Sequence, residues 1–274
     1  MSGTLGLIGF GNMGKAIGRG LVKQGVLSAS DLVVYDIDEK AMEAARELGA
    51  ATADSECSLC ANSEVILLAV KPDAAKGALS ASGSGLAGKA LISIVAGLDQ
   101  ETMGEWTGNE ARILRVMPNT PALVGEGAFG FSSGSSFTKE EKVTTENWFS
   151  AIGHVEWVAE ERMDAVTGLS GGGPAYVALF VEALADGGVQ QGLKRDVAYR
   201  LAAQTVLGTA KMILDTGSHP GALKDAVCSP GGTTIEGILA LERGGVRAAV
   251  SEAVVKSSEK SRQLNKKETT GKGA

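Results

Sequence analysis

Over its first half the chain alternates short apolar runs with polar or helix-period segments. Leu5-Gly-Leu-Ile8, Asp31-Leu-Val-Val-Tyr-Asp36 and residues 64–70, 89–95 and 112–117 are rich in β-branched and aliphatic side chains. Runs this short and this uniformly apolar, spaced by helical segments, predict strands of a parallel sheet covered on both faces. Two later candidates, 128–132 and 155–158, would extend the sheet. After about residue 160 no strand-like run remains and helices with glycine turns take over. A helix is expected from Pro174 through Tyr176, Phe180, Leu184 and Ala185, stopping at Gly187-Gly188. The next helix carries apolar or small pairs at Val197/Ala198, Leu201/Ala202, Thr205/Val206, Thr209/Ala210 and Ile213/Leu214. A stripe that wide in so small a domain needs a cover, which a second subunit would supply, with packing inside one chain as the alternative. The fold class is therefore α/β: an N-terminal Rossmann doubly wound parallel sheet over 1–160, an all-α dimerisation domain over 161–266 and a flexible tail over 267–274.

Composition narrows the class further. The chain has 274 residues, 44% of them hydrophobic and 21% charged, and a net charge of −6 at neutral pH. That is enough apolar material for a large core, and the acidic balance argues against general nucleic-acid binding. The basic C-terminal end, with Lys256, Lys260, Arg262, Lys266, Lys267 and Lys272, reads as a solvated helix face followed by a frayed end. No run of eighteen apolar residues occurs, and Met1-Ser-Gly-Thr4 leads into a strand without a charged leader, so a cytoplasmic protein without membrane contact is expected. The three cysteines give no disulfide framework. Cys57-Ser-Leu-Cys60 has redox or half-zinc spacing but lacks a second Cys or His pair, so ordinary thiols and no metal are expected.

The chemistry begins at the first strand. Gly9, Gly11 and Gly14 follow it in G-x-G-x-x-G spacing and open a helical pattern through Ile17 and Leu21. Gly9 allows the tight turn, Gly11 lets backbone approach a pyrophosphate, and Gly14 lets helix and strand pack closely. The second strand ends at Asp36, 22 positions after Gly14, where a carboxylate can accept both ribose hydroxyls and repel a 2′-phosphate. NAD(P)H is therefore the expected cofactor, with NADH favoured by Asp36, although Lys40 lies within reach of a phosphate. Later strands end in Lys71-Pro72, Ala96-Gly97 and Pro118-Asn-Thr-Pro121, loops expected at the carboxyl edge of the sheet. Asn119 there either hydrogen-bonds a carboxamide or substrate or is an ordinary member of a proline turn.

A second feature lies far from the first. In His219-Pro-Gly through Ser229-Pro-Gly-Gly-Thr-Thr234, Pro220 suits a first helical position and Ser229-Pro230-Gly231-Gly232 breaks the short helix. Thr233 and Glu236 read as a capping box for the next helix. The break is either a tight helix-to-helix turn or a pocket of free backbone N–H groups for a small anion.

Taken together, Gly9-Phe-Gly-Asn-Met-Gly14, Ala69-Val-Lys-Pro72, Arg115-Val-Met-Pro-Asn-Thr-Pro121, Thr167-Gly-Leu-Ser-Gly-Gly-Gly-Pro-Ala-Tyr176, Ala185-Asp-Gly-Gly188 and the His219 and Ser229 segments closely resemble the pyrroline-5-carboxylate reductases, which complete proline synthesis. The resemblance spans nearly the whole sequence. It implies reduction of pyrroline-5-carboxylate to L-proline by NAD(P)H, and a helical domain interlocked in a homodimer, with a ring of dimers as a larger assembly. It also implies that Gly9, Phe10, Gly11, Asn12, Met13, Gly14, Val70, Lys71, Pro72 and Ala96 touch the dinucleotide. Glu160, Cys228, Ser229, Gly231, Gly232, Thr233 and Thr234 would line the substrate pocket. Two departures fall near the cofactor: Ala226 where some members have asparagine, and Glu56 at a position that can carry asparagine.

Reducing a cyclic imine requires a hydride donor and a protonated ring nitrogen, so no strong acid is needed and a hydroxyl suffices. Thr234 is the expected catalytic residue, hydrogen-bonding that nitrogen or relaying its proton, while N–H groups around Cys228 to Gly232 hold the carboxylate. Thr233 is expected to cap the following helix, and Thr234 is alternatively a second capping hydroxyl. Glu160 either neutralises the cationic ring or is a surface carboxylate. A β-hydroxyacid dehydrogenase would share the two-domain plan, but its catalytic lysine would fall at Val177, which transfers no proton. A related imine reductase and a non-catalytic nucleotide-sensing module are the remaining alternatives.

Overall fold

The computed structural model describes residues 3–270, with side chains as far as Leu264. Its sheet runs in the order β3-β2-β1-β4-β5-β6-β7-β8. The strands are β1 (Leu5–Ile8), β2 (Leu32–Tyr35), β3 (Ala51–Thr52), β4 (Val65–Leu68), β5 (Ala90–Ser93), β6 (Arg112–Met117), β7 (Gly127–Ser132) and β8 (Gly153–Val158). Strands β1 to β6 are mutually parallel. Strand β7 pairs antiparallel with β6, which departs from the all-parallel expectation. Only a 3₁₀ turn, Thr120–Val124, separates β6 from β7, too little chain for a crossover, so the strand must reverse. The two-residue β3 carries too little periodicity to be seen in the sequence.

Six helices cover the sheet: α1 (Asn12–Lys23), α2 (Glu39–Leu48), α3 (Glu56–Ala61), α4 (Pro72–Ser82), α5 (Gln100–Trp106) and α6 (Lys139–Ser150). The period of two along each strand divides the core. Leu5, Leu7, Leu67 and Ile92 pack with Ile17, Leu21 and Phe149 on one face, while Ile8, Ile66, Leu68 and Leu91 pack with Leu59, Leu79 and Met103 on the other. Phe131 stands edge-on to both Phe149 and Trp157, at centroid distances of 5.3 and 5.2 Å, and closes the β7–β8 end of the core.

The chain divides into two compact units. The first takes residues up to Gly172 and again from Val255, and the second is Gly173–Val254. The compact units divide after Gly172, whereas the sequence reading places the change from the sheet domain to the helical domain at 160/161. The stretch after β8, a 3₁₀ turn Glu160–Arg162, α7 (Met163–Val166) and a π-helical turn Thr167–Gly171, belongs to the first unit because Met163 is fully buried there. A Cβ on Gly130 would sit 2.6 Å from Val166, and one on Gly171 would sit 2.7 Å from Met117.

The second unit contains α8 (Gly173–Gln190), α9 (Arg195–Thr216), α10 (Pro220–Val227), α11 (Thr233–Arg243) and the first part of α12 (Val246–Thr270). Helix α8 runs through Gly187 and Gly188, where a stop was expected, and the left-handed turn comes at Gly192 with φ 95°. Gly188 instead serves packing: a Cβ there would already lie 3.4 Å from Ala198 of α9. The α8–α9 pair buries only Ala185, Ala198 and Ala202. The tail expected over 267–274 is helical as far as Thr270, and 271–274 lie outside the described residues.

Candidate active site

Parallel pairing of β2, β1, β4, β5 and β6 brings their carboxyl ends to one edge, and with them the segments at 9–14, 36, 69–72, 94–97 and 118–121. The order turns between β1 and β4, where such sheets hold nucleotides. Gly9 has φ 96°, and a Cβ there would meet the Ala69 carbonyl oxygen at 2.7 Å. At Gly14 a Cβ would approach the Gly9 carbonyl oxygen to 2.3 Å, so helix and loop are in direct contact. Gly11, the N-cap of α1, has open space where its Cβ would be and no side-chain cap, leaving the first N–H groups of the helix available. These features are what a pyrophosphate requires, and the residues fit a dinucleotide.

Asp36 joins this loop directly. Its Oδ2 accepts from the Phe10 N–H at 2.6 Å, and its Oδ1 accepts from the Asp38 N–H at 2.9 Å. Phe10 itself is buried in the core, so it anchors the loop from below. Val70 and Ala96 are half-buried at the edge, while Asn12, Lys71 and Pro72 are exposed. Lys71 is the N-cap of α4 and Pro72 its first residue. Asn119 is 9% exposed and is engaged within the protein. Its Oδ1 accepts from the Ala128 N–H at 2.8 Å, and its Nδ2 donates to the Ser170 carbonyl at 3.1 Å. The amide therefore clips the 118–121 loop to β7 and to the π-helical turn, a duty that the motif alone does not reveal.

Glu160 is no surface carboxylate. It accepts from Arg115 at 2.9 Å and from Gln100 at 2.9 Å, and Gln100 also donates to Ser132 at 2.7 Å. Burial alone would raise the Glu160 carboxyl pKa, but the Ser132 hydroxyl, the Arg115 guanidinium and the Gln100 amide together hold it below the usual range. Arg115, only 5% exposed at its side chain, also faces Asp164 at 4.0 Å, and Asp164 accepts from Ser261 of α12 at 2.6 Å. This network escapes motif reading. Its one signal in the sequence is an arginine in the middle of an apolar strand, which demands an acidic partner without naming it.

In the second unit, His219 caps α10 by accepting from the Gly221 N–H through Nδ1, with Pro220 at the first helical position as expected. The break at 228–232 is sharp: Gly231 has φ 63°, and the Gly232 N–H donates to the Ser229 carbonyl at 3.0 Å. A Cβ at Gly232 would lie 2.2 Å from the Ser229 hydroxyl. The expected capping box is not formed. Gly232, not Thr233, is the N-cap of α11, and no side chain caps it. The turn needs an unhindered residue against Ser229, which moves the helix start one residue earlier and makes Thr233 and Thr234 its first two residues. Thr233 is exposed and Thr234 half-buried, beside the uncapped N–H groups of the helix.

Among the described residues no three His, Cys, Asp or Glu side chains gather as a metal site. Cys57 is exposed and Cys60 buried on α3, and burial raises the Cys60 thiol pKa. No helix of the described residues is long and apolar enough to cross a membrane.

A doubly wound sheet with a glycine loop and a strand-terminal acid at its switch point, joined to a helical unit, defines a dinucleotide-dependent oxidoreductase of two-unit plan. Residues 4–97 match the family model described as NADP oxidoreductase, coenzyme F420-dependent. Residues 160–264 match that described as pyrroline-5-carboxylate reductase dimerisation. The pyrroline-5-carboxylate reductase of Glycine max is 46% identical over 96% of both chains, and that of Escherichia coli K12 is 43% identical over 97% of this chain and 100% of its own. The crystal structure of Plasmodium falciparum pyrroline carboxylate reductase with NADP bound superposes with a TM-score of 0.87, at 35% identity, over 96% of this chain and 98% of that one. The chain belongs to the pyrroline-5-carboxylate reductase family, and is an NAD(P)H-dependent oxidoreductase.

Proposed function

We propose that the protein reduces pyrroline-5-carboxylate to L-proline. The observation that carries this reading is the glycine-built break between α10 and α11, which presents an uncapped helix N-terminus and two threonines, in a chain whose sheet edge is built for a dinucleotide. The bound cofactor supplies the hydride. Gly9, Gly11 and Gly14 hold its pyrophosphate, Asp36 its ribose, and Val70, Lys71, Pro72 and Ala96 line its path along the sheet edge.

On the substrate side, the N–H groups of Gly231, Thr233 and Thr234 and the Ser229 hydroxyl bind the carboxylate, placing partial positive charge against a full negative one, while the Gly232 N–H stays engaged with the Ser229 carbonyl. The Thr234 hydroxyl oxygen accepts a hydrogen bond from the protonated ring nitrogen, or relays its proton. Protonation before binding puts positive charge on the imine, so the hydroxyl only has to orient the ring, within the range of a positioned weak acid. Glu160, held ionised by Arg115, supplies negative charge for a cationic ring.

Asp36 makes NADH the preferred coenzyme, since a 2′-phosphate would face a carboxylate whose two oxygens are already fixed by the Phe10 and Asp38 N–H groups. The protein works in the cytoplasm, as dimers that associate further into a ring.

The test follows NADH absorbance with pyrroline-5-carboxylate. Consumption with proline as product is expected. Cofactor binding without consumption would leave a nucleotide sensor, and turnover confined to 3-hydroxy acids would make the protein a dehydrogenase. Thr234→Ala is expected to lower kcat at least tenfold with NADH affinity unchanged, and an unaltered kcat would remove Thr234 from the mechanism.

A further inference from the structure

A cavity of about 270 Å³ runs between α1 and the 120–124 turn, within the first unit. Asn12, Lys15, Arg19 and Lys23 recur at intervals of three and four along α1, so they share one face of the helix and form one lip of the groove. Successive cations lie roughly 6 Å apart along the axis, at 1.5 Å rise per residue. The opposite lip is apolar: Leu123 and Val124 are 60% and 74% exposed. The floor is kept low by Gly20, where a Cβ would lie 2.9 Å from Ile152.

The charge pattern is unusual for this chain. Its net charge is −6, yet no Asp or Glu lines the groove. Among the described residues none of the three cations forms an ion pair, whereas eleven other pairings within the protein place acids on bases. Three unpartnered cations in a concave row concentrate positive potential and favour an anion with more than one charged group. A single carboxylate would meet one of them. Phosphoryl groups spaced by about 6 Å would meet two or three, and Arg19 would offer a bidentate fork to one of them.

We propose that this groove is a second ligand site, for a small phosphorylated molecule whose phosphoryl groups lie along Lys15, Arg19 and Lys23 and whose apolar body rests on Leu123 and Val124. The cavity is close to the lower end of small-molecule pockets, roughly 300 Å³, so the ligand is smaller than a dinucleotide. The site is read by binding alone and does not depend on the imine reductase reading.

Isothermal titration of the whole protein with inorganic tripolyphosphate, with and without saturating NADH, tests it. Asn12 belongs both to this rim and to the glycine loop, but the three cations lie further along α1, so persistence with NADH present is the expected result. Binding is expected to weaken at least tenfold in Arg19→Glu and in the double variant Lys15→Gln, Lys23→Gln, and to fall with added salt. Naphthyl phosphate tests the apolar lip: its affinity is expected to drop severalfold in Leu123→Ser, while that of tripolyphosphate stays unchanged. Competition of tripolyphosphate with NADH would place the anion in the glycine loop, and equal binding to wild type and charge variants would mean an adventitious ion only. Either outcome overturns the proposal, as would equal naphthyl phosphate binding to wild type and Leu123→Ser.

Discussion

The three glycines of the first loop serve different purposes, and their substitutions separate folding from cofactor binding. Gly9 and Gly14 are required by the protein itself, since their missing Cβ atoms would strike backbone oxygens at 2.7 and 2.3 Å. Gly11 meets nothing within the protein and has φ −69°, so alanine is tolerated by the fold. Gly11→Ala is therefore expected to leave the Tm within a degree or two while weakening NADH binding at least tenfold, measured by fluorescence titration. A lowered Tm with normal affinity would give this glycine a structural duty instead. Asp36 is tested by coenzyme choice: Asp36→Ser should shift the NADH to NADPH ratio of kcat/KM towards NADPH by tenfold or more, since removing one charge relieves roughly 1–2 kcal/mol at partly solvated distances. A wild-type preference for NADPH would contradict the electrostatic reasoning. These residues were legible because the fingerprint is local. Asn119 was legible as a motif only, since its partners Ala128 and Ser170 depend on how β7 and the π-helical turn fold back.

Among the elements, the segment after β8 changes most between sequence and structure. Its acidic Ala-Glu-Glu-Arg pattern looks like a solvated turn, yet Glu160 and Asp164 neutralise an arginine buried in β6. Removing one partner of a buried pair costs about 3–5 kcal/mol. Glu160→Gln should cost less, about 2 kcal/mol by urea unfolding, because Asp164 remains near Arg115 and Glu160 is 29% exposed. The sign with pH follows from its lowered carboxyl pKa. Stability from ionised Glu160 is present above the ordinary carboxylate range and disappears as pH falls through the lower folded value, so wild type and Glu160→Gln should converge in acid. A gap independent of pH would show that charge is not what the pair contributes. Capping shows the same dependence on context: Thr233 and Glu236 have the right spacing for a box, but Gly232 is the residue that fits against Ser229.

For the molecule as a whole, the second unit is too thinly buried to be a complete body. Leu179, Leu201 and Leu214 are 68%, 56% and 76% exposed, and the α8–α9 pair encloses little beyond three alanines. Exposed apolar area on this scale marks an interface, in keeping with the match to a dimerisation region. Leu201→Glu with Leu214→Glu is expected to convert the assembly towards monomer in sedimentation velocity while the Rossmann unit keeps its NADH affinity. Retained assembly would move the interface to another face of the unit. The chain by itself determined seven of the eight strands of the first unit, the glycine loop with its acid, the helix break at 229–232 and the surplus apolar stripe, because each depends on periodicity, on glycine and proline geometry, or on spacing within one crossover. Only the tertiary structure decided that β7 runs antiparallel, that Asn119 is a clip, that Arg115 selects Glu160 45 residues away, and that α12 returns through Ser261 to Asp164 across 97 residues. Those pairings satisfy buried polar groups, and which partner reaches a buried donor is set by the packing of whole elements and not by neighbours in the chain.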